Sequence, residues 1–248
     1  MPFTLRSMLR AAVAWDPFVQ GWTRRAYVGL GMATKDEGDY LFDLAQSHKD
    51  IFVLQVGAND GKRHDLLRPL IHRYRWRALL LEPLPDIFNA LRKNYVNAKN
   101  VTLVNAALTD RDGEATIYRV RPGPGVPKFC NELASFRRDV VVKHAYLFAE
   151  IEQHVVAEAI AAVSFGTLVK QYGIEKIDVV MIDTEGYDYQ ILKLVDFVQF
   201  RPKLVIYEHA HLSKEDQAAA AQLLSSVGYE VHALRSGYLN TAAIYRGT

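Results

Sequence analysis

The sequence predicts an α/β fold in which a mostly parallel β-sheet carries helices on both faces. From residue 51 onward, short apolar runs alternate with amphipathic segments, which is typical of parallel strands joined by helical crossovers. The apolar runs are nearly unbroken, as expected for strands that are buried on both faces. The chain has 248 residues, half of them hydrophobic, so we expect one α/β domain with a short appendage.

Residues 1–48 form the predicted appendage, because their apolar side chains recur at helical spacing. Trp15 and Trp22 lie among arginines, a composition that also suits a membrane interface. A helical cap that packs on the domain or on a second subunit is the favoured interpretation, which leaves open a homo-oligomer formed through these helices.

Residues 49–248 form the predicted main domain. Its core strands are predicted at 51–56, 78–81, 101–105, 177–182 and 204–207, with 229–234 and 241–245 as a closing antiparallel pair. Its helices are predicted at 63–74, 86–95, 167–172, 189–195 and 214–226. Ser213 is the predicted N-cap of the last helix, and Gly228 ends it.

The region between the third and fourth core strands has a different character. A turn at 110–113 suggests that 107–108 and 115–120 form a hairpin-like addition. Residues 122–125 are Pro-Gly-Pro-Gly and exclude regular structure, and residues 138–160 have a helix-like pattern. We expect the insertion 122–162 to cover the substrate, since such long connections often carry function.

Composition excludes several classes of protein. The net charge is +2, which does not favour a nucleic-acid partner. Cys130 is the only cysteine, so an intramolecular disulfide and a cysteine-rich metal site are excluded, and no neighbouring base marks it as a nucleophile. The N-terminus does not resemble a signal peptide, and no run approaches the ~20 apolar residues of a membrane span. We therefore expect a soluble, cytoplasmic protein.

Polar residues follow five predicted strands at the point where each strand ends. They are Gly57, Asn59 and Asp60 after the first, Glu82 after the second, Asn105 after the third, Asp183 and Glu185 after the fourth, and Glu208 and His209 after the fifth. Ligands of open α/β sheets bind at the carboxyl ends of the strands. This edge is the predicted ligand site.

The nature of the ligand follows from the charges at this edge. Gly57 and Gly61 allow a sharp turn with close approach of the backbone, and Glu82 is suitably spaced to accept hydrogen bonds from both hydroxyls of an adenosine ribose. Asp60 would repel a pyrophosphate, whereas acidic residues favour the sulfonium and ammonium groups of S-adenosylmethionine. Asp60 can also serve as a helix N-cap, and both roles are compatible.

Two segments resemble the signatures of FkbM-type methyltransferases: Leu54-Gln55-Val56-Gly57-Ala58-Asn59-Asp60-Gly61 and Asp178-Val179-Val180-Met181-Ile182-Asp183-Thr184-Glu185-Gly186-Tyr187-Asp188. The resemblance covers roughly residues 50–210. It implies a class I (Rossmann-like) methyltransferase fold with a seven-stranded sheet and one antiparallel strand. It also implies O-methylation of a hydroxyl on a sugar, a glycan or another small metabolite.

The same resemblance assigns parts of the cofactor to residues. It implies that Glu82 binds the ribose hydroxyls, that Asn105 and Ala106 lie near the adenine, and that Gly57 and Asp183 lie near the amino-acid end. One departure concerns Gln55, since many methyltransferases have an acidic residue there. Gln55 can still form a hydrogen bond, while the ionic contact to the ammonium passes to Asp60 or Asp183.

Methyl transfer to an un-ionised hydroxyl calls for a general base. The candidates at the strand ends are Asp183, Glu185 and His209, with His211 beside them, and His144 and His154 in the insertion could enter from above. Asp183 has a second interpretation, in which it binds only the cofactor. The oxygen ligands of Asp183, Glu185 and Glu208 could hold Mg²⁺, but no spacing requires it and no metal site is predicted.

Two other functions remain open. A nucleic-acid methyltransferase is disfavoured by the near-neutral charge and by the sequence IDTEG at the fourth strand end, where amino-methylating enzymes of nucleic acid carry an Asn/Asp-Pro-Pro-aromatic motif. A non-catalytic binding module would keep the fold and use the N-terminal helices to contact a partner.

Overall fold

The computed structural model describes residues 34–63, 65–234 and 239–247. The predicted helices of residues 1–33, with Trp15, Trp22 and the predicted oligomer contact, lie outside these residues. The end of the appendage is helix α1 (Glu37–Ser47), which starts with a reciprocal capping box between Asp36 and Asp39. Within the described residues, no helix has the length and apolarity that a membrane span requires.

The structure contains eleven strands and nine α-helices within these described ranges. The strands are β1 (Phe52–Val56), β2 (Arg77–Leu81), β3 (Val101–Val104), β4 (Ala107–Thr109), β5 (Gly113–Val120), β6 (Ala134–Ser135), β7 (Val155–Ser164), β8 (Val179–Ile182), β9 (Leu204–Glu208), β10 (Tyr229–Ala233) and β11 (Asn240–Tyr245). The helices after α1 are α2 (Leu67–Tyr74), α3 (Pro85–Asn94), α4 (Arg138–Val142), α5 (Ile151–His154), α6 (Phe165–Tyr172), α7 (Asp188–Leu194), α8 (Phe197–Phe200) and α9 (Lys214–Ser226).

Seven strands form the main sheet in the order β3-β2-β1-β8-β9-β11-β10. Only β11 runs antiparallel to its neighbours, β9 and β10, because the short connection between β10 and β11 permits a hairpin and no crossover. The predicted seven-stranded sheet with one antiparallel strand is confirmed. The fold is that of the class I methyltransferases.

Both faces of the main sheet are covered by helices, as predicted. Along β1, Leu54 packs into one hydrophobic cluster and Val53 into the other, because successive side chains of a strand point to opposite faces. Leucines of α6, α7 and α9 complete the first cluster, and those of α1, α2 and α3 complete the second. The strands at the centre are therefore apolar on both faces.

A second sheet of four strands has the order β4-β7-β5-β6. The predicted hairpin between 107–108 and 115–120 is wrong, because β4 and β5 do not pair with each other. Both pair with β7 from opposite sides: Ala162 is opposite Ala107 in β4 and Gly113 in β5. The long antiparallel ladder between β5 and β7 takes the place of a local hairpin.

The predicted helix-like segment 138–160 is also wrong over its last part. Helices α4 and α5 are short and a 3₁₀ turn (Lys143–Tyr146) lies between them, but residues from Val155 form the strand β7. Its alanines suggest a helix by propensity. The observed pattern has period two, since Ala157, Ala159 and Ala161 are exposed while Ile160 is buried.

Helix α2 begins four residues later than the predicted residue 63. The Asp65 carboxylate accepts hydrogen bonds from the N–H groups of Leu67 and Arg68, so Asp65, and not Asp60, satisfies the first turn of this helix. The other predicted strands and helices of the main domain agree with the structure to within two residues.

Candidate active site

A cavity of about 720 Å³, counting its opening to solvent, lies at the carboxyl ends of β1, β2 and β8. The second sheet covers the cavity, since Ile117 of β5 and Ala134 of β6 line it together with Phe136. The main sheet supplies the floor and the second sheet supplies the roof.

Gly57 allows the loop after β1 to lie against both neighbouring strands. Its φ is +83°, and a Cβ at this position would stand 1.8 Å from the backbone oxygen of Asp183. The N–H groups of Gly57 and Ala58 donate to the Leu81 carbonyl at 3.1 and 2.9 Å. No side chain fits at residue 57, so the glycine is required by space as well as by conformation.

Glu82 lies at one end of the cavity and is 6% exposed. One carboxylate oxygen accepts a hydrogen bond from the N–H of Asn59 and the other from the N–H of Leu84, both at 3.0 Å. Burial raises the pKa of Glu82 to about 7 against the opposing effect of these two hydrogen bonds. Each oxygen keeps a lone pair free to accept a hydrogen bond from a ligand.

The wall next to Glu82 is apolar and includes Pro83, Leu84, Ala106 and Leu108. Asn105, which was predicted to lie near an adenine, does not line the cavity. Its Nδ2 donates to the carbonyls of Glu82 and Pro83 at 2.8 and 3.0 Å. Asn105 therefore orders the loop that carries the wall, while Ala106 lies on the cavity surface.

Three other predicted cofactor residues also lie outside the cavity surface. Gly61 has φ +62°, and a Cβ there would meet Leu91 at 2.4 Å, so this glycine permits the loop to pack on α3. Gln55 is buried in β1, and its Oε1 has no hydrogen-bond partner among the described residues.

The third is Asp60. Its carboxylate accepts hydrogen bonds from the N–H groups of Lys62 and Arg63 and from Arg63 Nε. Burial acts to raise the pKa of Asp60, but the hydrogen bonds from Arg63 and Lys62 outweigh it and hold the pKa below its usual value. Its charge is balanced inside the loop, so the negative charge available to a ligand comes from other residues.

The other end of the cavity is acidic. Asp183 follows β8 and exposes its side chain to the cavity, and one carboxylate oxygen each of Asp183, Glu185 and Glu208 lies within 4.8 Å of the others. Desolvation and the repulsion between these carboxylates raise the pKa of both Asp183 and Glu208.

The loop from 183 to 188 holds Glu185 in an unusual conformation. Glu185 has φ +52°, which costs a residue with a side chain of order 1–3 kcal/mol. Ser135 Oγ donates to the Glu185 carbonyl at 2.6 Å. The buried Asp188 accepts from Thr184 Oγ1 at 3.0 Å and from Gly186 N at 3.2 Å, and burial raises the pKa of Asp188 to about 6.

Of the predicted bases, His209 does not line the cavity. Its Nδ1 lies 2.8 Å from Thr241 Oγ1 of β11, so its ring joins β9 to the neighbouring strand. His211 does not line the cavity either, but its Nε2 lies 3.0 Å from Oε2 of Glu185, which does. His144 of the insertion lies near it, with ring centroids 5.2 Å apart and the rings tilted by 50°.

Sequence reasoning missed the residues that the second sheet contributes. Glu132 lines the cavity and pairs with Arg63, and Asn59 Nδ2 donates to its Oε2 at 3.3 Å. Phe136 and Ile117 cover the cavity from above. No pattern in residues 113–136 indicated these positions, because only the pairing of β5 with β7 brings them over the main sheet.

Arg119 fixes this roof to the main domain. It is 3% exposed, its guanidinium binds both oxygens of Asp86 in α3 at 2.6 and 2.9 Å, and it donates to the Asn131 carbonyl at 3.0 Å. A bidentate arginine–carboxylate pair sets orientation as well as distance. Cys130 is fully buried in the cluster beneath the second sheet, which agrees with a structural role for this cysteine.

Residues 55–231 match the family model of the methyltransferase FkbM domain, which is more than half of the chain. The chain belongs to the FkbM methyltransferase family. Its fold resembles that of an FkbM methyltransferase from Methylobacillus flagellatus KT, with a TM-score of 0.51 and 14% identity over 79% of this chain. The FkbM domain described here spans 44% of the length of that protein.

Two further structures are similar to this FkbM-family chain at TM-scores of 0.45 and 14% identity. One is the precorrin-6y C5,15-methyltransferase of Geobacter metallireducens GS-15, over 86% of this chain and 93% of that one. The other is a METTL16 methyltransferase domain, over 84% of this chain and 64% of that one. No curated protein sequence matches the chain.

Proposed function

We propose that this FkbM-family chain is an S-adenosylmethionine-dependent O-methyltransferase that acts on a hydroxyl of a sugar, a glycan or another small metabolite. The observation that carries the proposal is the distribution of charge in one cavity. Glu82 stands beside an apolar wall at one end, and Asp183 and Glu185 stand at the other. This arrangement matches a ligand with a ribose and an aromatic base on one side and a cationic amino acid on the other.

The residues present fit the cofactor part by part. Glu82 accepts hydrogen bonds from the ribose hydroxyls, and the wall around Ala106 and Leu108 receives the adenine. Asp183 favours the ammonium and sulfonium charges, and Gly57, which lines the cavity, is the proposed neighbour of the methionine chain. Asp60 and Gln55 do not supply the ionic contact, since Asp60 is bound to Arg63 and Gln55 is buried.

When bound, S-adenosylmethionine supplies an activated methyl group. The chain's own residues first position the acceptor. The roof of Phe136 and Ile117 excludes water and holds the acceptor against the acidic end. Positioning of this kind lowers a reaction barrier by about 7–11 kcal/mol. Asp183 or Glu185 then takes the proton of the acceptor hydroxyl. Removal of that proton by a placed base contributes a factor of about 10²–10⁴.

Glu82→Gln is expected to weaken binding of S-adenosylhomocysteine by about 1–3 kcal/mol. A carboxylate accepts hydrogen bonds at both oxygens and carries a negative charge, whereas an amide accepts at one oxygen only and is neutral. Since the pKa of Glu82 is about 7, the carboxylate forms as the pH rises through 7. The affinity of the unmodified protein should therefore increase across this range. That of the variant should increase less, because Asp183, whose pKa is also raised, still ionises at the cavity but residue 82 no longer does. Calorimetry between pH 5.5 and 8.5 measures both.

Glu114→Gln is the matched control, because Glu114 is exposed on β5 and away from the cavity. Its affinity should equal that of the unmodified protein at every pH. Equal affinities for Glu82→Gln and the unmodified protein would show that the ribose does not lie at Glu82.

The proposed reaction is tested with S-adenosylmethionine and panels of acceptors. Transfer of a radiolabelled methyl group to a sugar or other small hydroxylated compound supports the proposal. Transfer only to RNA, with an affinity that falls steeply with salt, would replace it with a nucleic-acid methyltransferase. The absence of cofactor binding at millimolar concentration would indicate a binding module without catalysis.

A further inference from the structure

Three chain segments bring two histidines and a carboxylate together behind the acidic end of the cavity. Glu185 comes from the loop after β8, His211 from the loop after β9, and His144 from the 3₁₀ turn after α4. One ring nitrogen of each histidine and one oxygen of Glu185 lie within 4.8 Å of one another. The Nε2 of His211 is 3.0 Å from Glu185 Oε2 and 4.0 Å from Glu208 Oε1.

His144 has one ring nitrogen available to a ligand. The residue is 7% exposed, and its Nδ1 lies 3.1 Å from the carbonyl oxygen of Val140. A carbonyl oxygen accepts only, so Nδ1 carries the hydrogen and Nε2 has a free lone pair. Nε2 has no hydrogen-bond partner among the described residues. Histidines that bind metals typically donate their other N–H to a backbone carbonyl or a carboxylate in this way.

The carboxylates of the cluster are also incompletely bonded. Within the described ranges, Glu185 Oε2 and Glu208 Oε2 are buried and have no hydrogen-bond partner. The contact between Glu185 Oε2 and His211 is short but lacks the direction of a hydrogen bond. Buried polar atoms without partners are uncommon in folded proteins and often indicate an ion or water.

The backbone is shaped to keep these groups close. Glu185 is held in the left-handed region by Ser135. A Cβ at Gly186 would stand 3.2 Å from the Cβ of His211 and 3.3 Å from Val140 Cγ2, so the glycine lets the loop approach both other segments. The left-handed backbone at Glu185 sets the direction of its side chain, and one of its oxygens lies within 4.8 Å of a ring nitrogen of each histidine.

We propose that His144, Glu185 and His211 bind one divalent transition-metal ion. Two ligands of one zinc ion, each about 2.0–2.2 Å from it, lie roughly 3.0–3.5 Å apart, and the ligand atoms here need to move by an ångström or so to reach this spacing. Imidazole ligands favour zinc, iron, nickel or copper over magnesium. Glu208, one oxygen of which lies near Glu185 and Oε1 of which is 4.0 Å from His211 Nε2, is available as a fourth ligand.

The ion would lie beside the acidic end of the cavity, because Glu185 belongs both to the cluster and to the cavity lining. An acceptor hydroxyl that coordinates the ion through its oxygen has a lowered pKa, and its proton passes to Asp183 before the oxygen takes the methyl group. This role rests on the proposed function. The metal site itself does not depend on it.

The test uses the untagged protein after chelator treatment and dialysis, without cofactor or acceptor. Zn²⁺ is titrated in competition with a chromophoric chelator, and Co²⁺ is titrated while visible absorption is recorded. We expect one equivalent of Zn²⁺ to bind. We expect bound Co²⁺ to give the visible d–d absorption bands of an ion coordinated by nitrogen and oxygen ligands. His211→Ala, His144→Ala and Glu185→Gln should each weaken Zn²⁺ binding by at least about 10-fold.

His232→Ala is the matched control, because His232 Nε2 lies 3.2 Å from Glu230 Oε1 in another histidine–glutamate contact far along the sheet. It should bind Zn²⁺ like the unmodified protein. The proposal is overturned if no equivalent of Zn²⁺ binds, or if the three cluster variants and the control have equal affinity. Glu185→Gln preserves side-chain shape and decides the matter if His144→Ala fails to fold.

Binding of S-adenosylhomocysteine to the same samples separates the two proposals. Zn²⁺ binding without cofactor binding retains the metal site and rejects the methyltransferase function. Cofactor binding without Zn²⁺ binding rejects the metal site and retains the methyltransferase function.

Discussion

Gly57→Ala is expected to destabilise the protein by about 3 kcal/mol or more and to remove cofactor binding. An added Cβ would overlap the Asp183 carbonyl oxygen at 1.8 Å, and the contact involves backbone that cannot rotate away. Overpacking of a tight site costs typically about 1–3 kcal/mol, and a side chain in the left-handed region adds roughly 1–2 kcal/mol. The loop must move away from β8, which displaces the floor of the cavity.

Urea unfolding and calorimetry with S-adenosylhomocysteine measure the two effects. Gly166→Ala is the matched control, since a Cβ there meets no atom within 4 Å and the residue lies in helix α6. Alanine favours a helix over glycine, so this control should be as stable as the unmodified protein or more stable by up to about 1 kcal/mol. Equal stability of the Gly57 and Gly166 variants would contradict the close approach of the loop to Asp183.

Asp183→Asn is expected to lower kcat for methyl transfer by about 10²- to 10⁴-fold, because an amide cannot take the proton of the acceptor hydroxyl. Burial and the neighbouring carboxylates raise the pKa of Asp183, which makes it a better proton acceptor once ionised. The substitution keeps the size of the side chain, so the cavity should retain its shape.

Single-turnover rates with saturating S-adenosylmethionine, together with the affinity for S-adenosylhomocysteine, separate the two roles of Asp183. A large fall in rate with little change in affinity supports the base, and a large fall in affinity with little change in rate supports a cofactor contact alone. Asp110→Asn, at an exposed turn, is the control and should leave both unchanged. An unchanged rate and affinity in Asp183→Asn would exclude both roles.

The parallel core of this domain could be predicted from the sequence because its signals are local. Each central strand is a nearly unbroken apolar run, with Gln55 of β1 as an exception, and polar residues follow the runs on the same edge of the sheet. The two ends of helix α9 were equally clear, because the capping signals at Ser213 and Gly228 are close to the helix in the sequence. Glu82 and Asp183 were predicted at the edge and line the cavity, because the carboxyl ends of parallel strands meet there.

The second sheet could not be predicted, because its strands are defined by a partner distant in the chain. The alanines of β7 favour a helix locally, and only the ladder with β5 makes them a strand. The same limit applies to side-chain direction. The sequence placed His209 and His211 together at a strand end, but Thr241 of β11 binds His209 while Glu185 contacts His211.

The sequence by itself determined the main sheet, its helices and the edge where the cavity lies, because period, capping and apolar runs are properties of neighbouring residues. Only the tertiary structure decided which polar groups face the cavity. Asp60 accepts a hydrogen bond from Arg63, and Asn105 donates one to the loop after β2. His144 of the insertion lies near Glu185 and His211. These choices depend on hydrogen-bond partners and packing contacts that come together only when segments distant along the chain fold against one another.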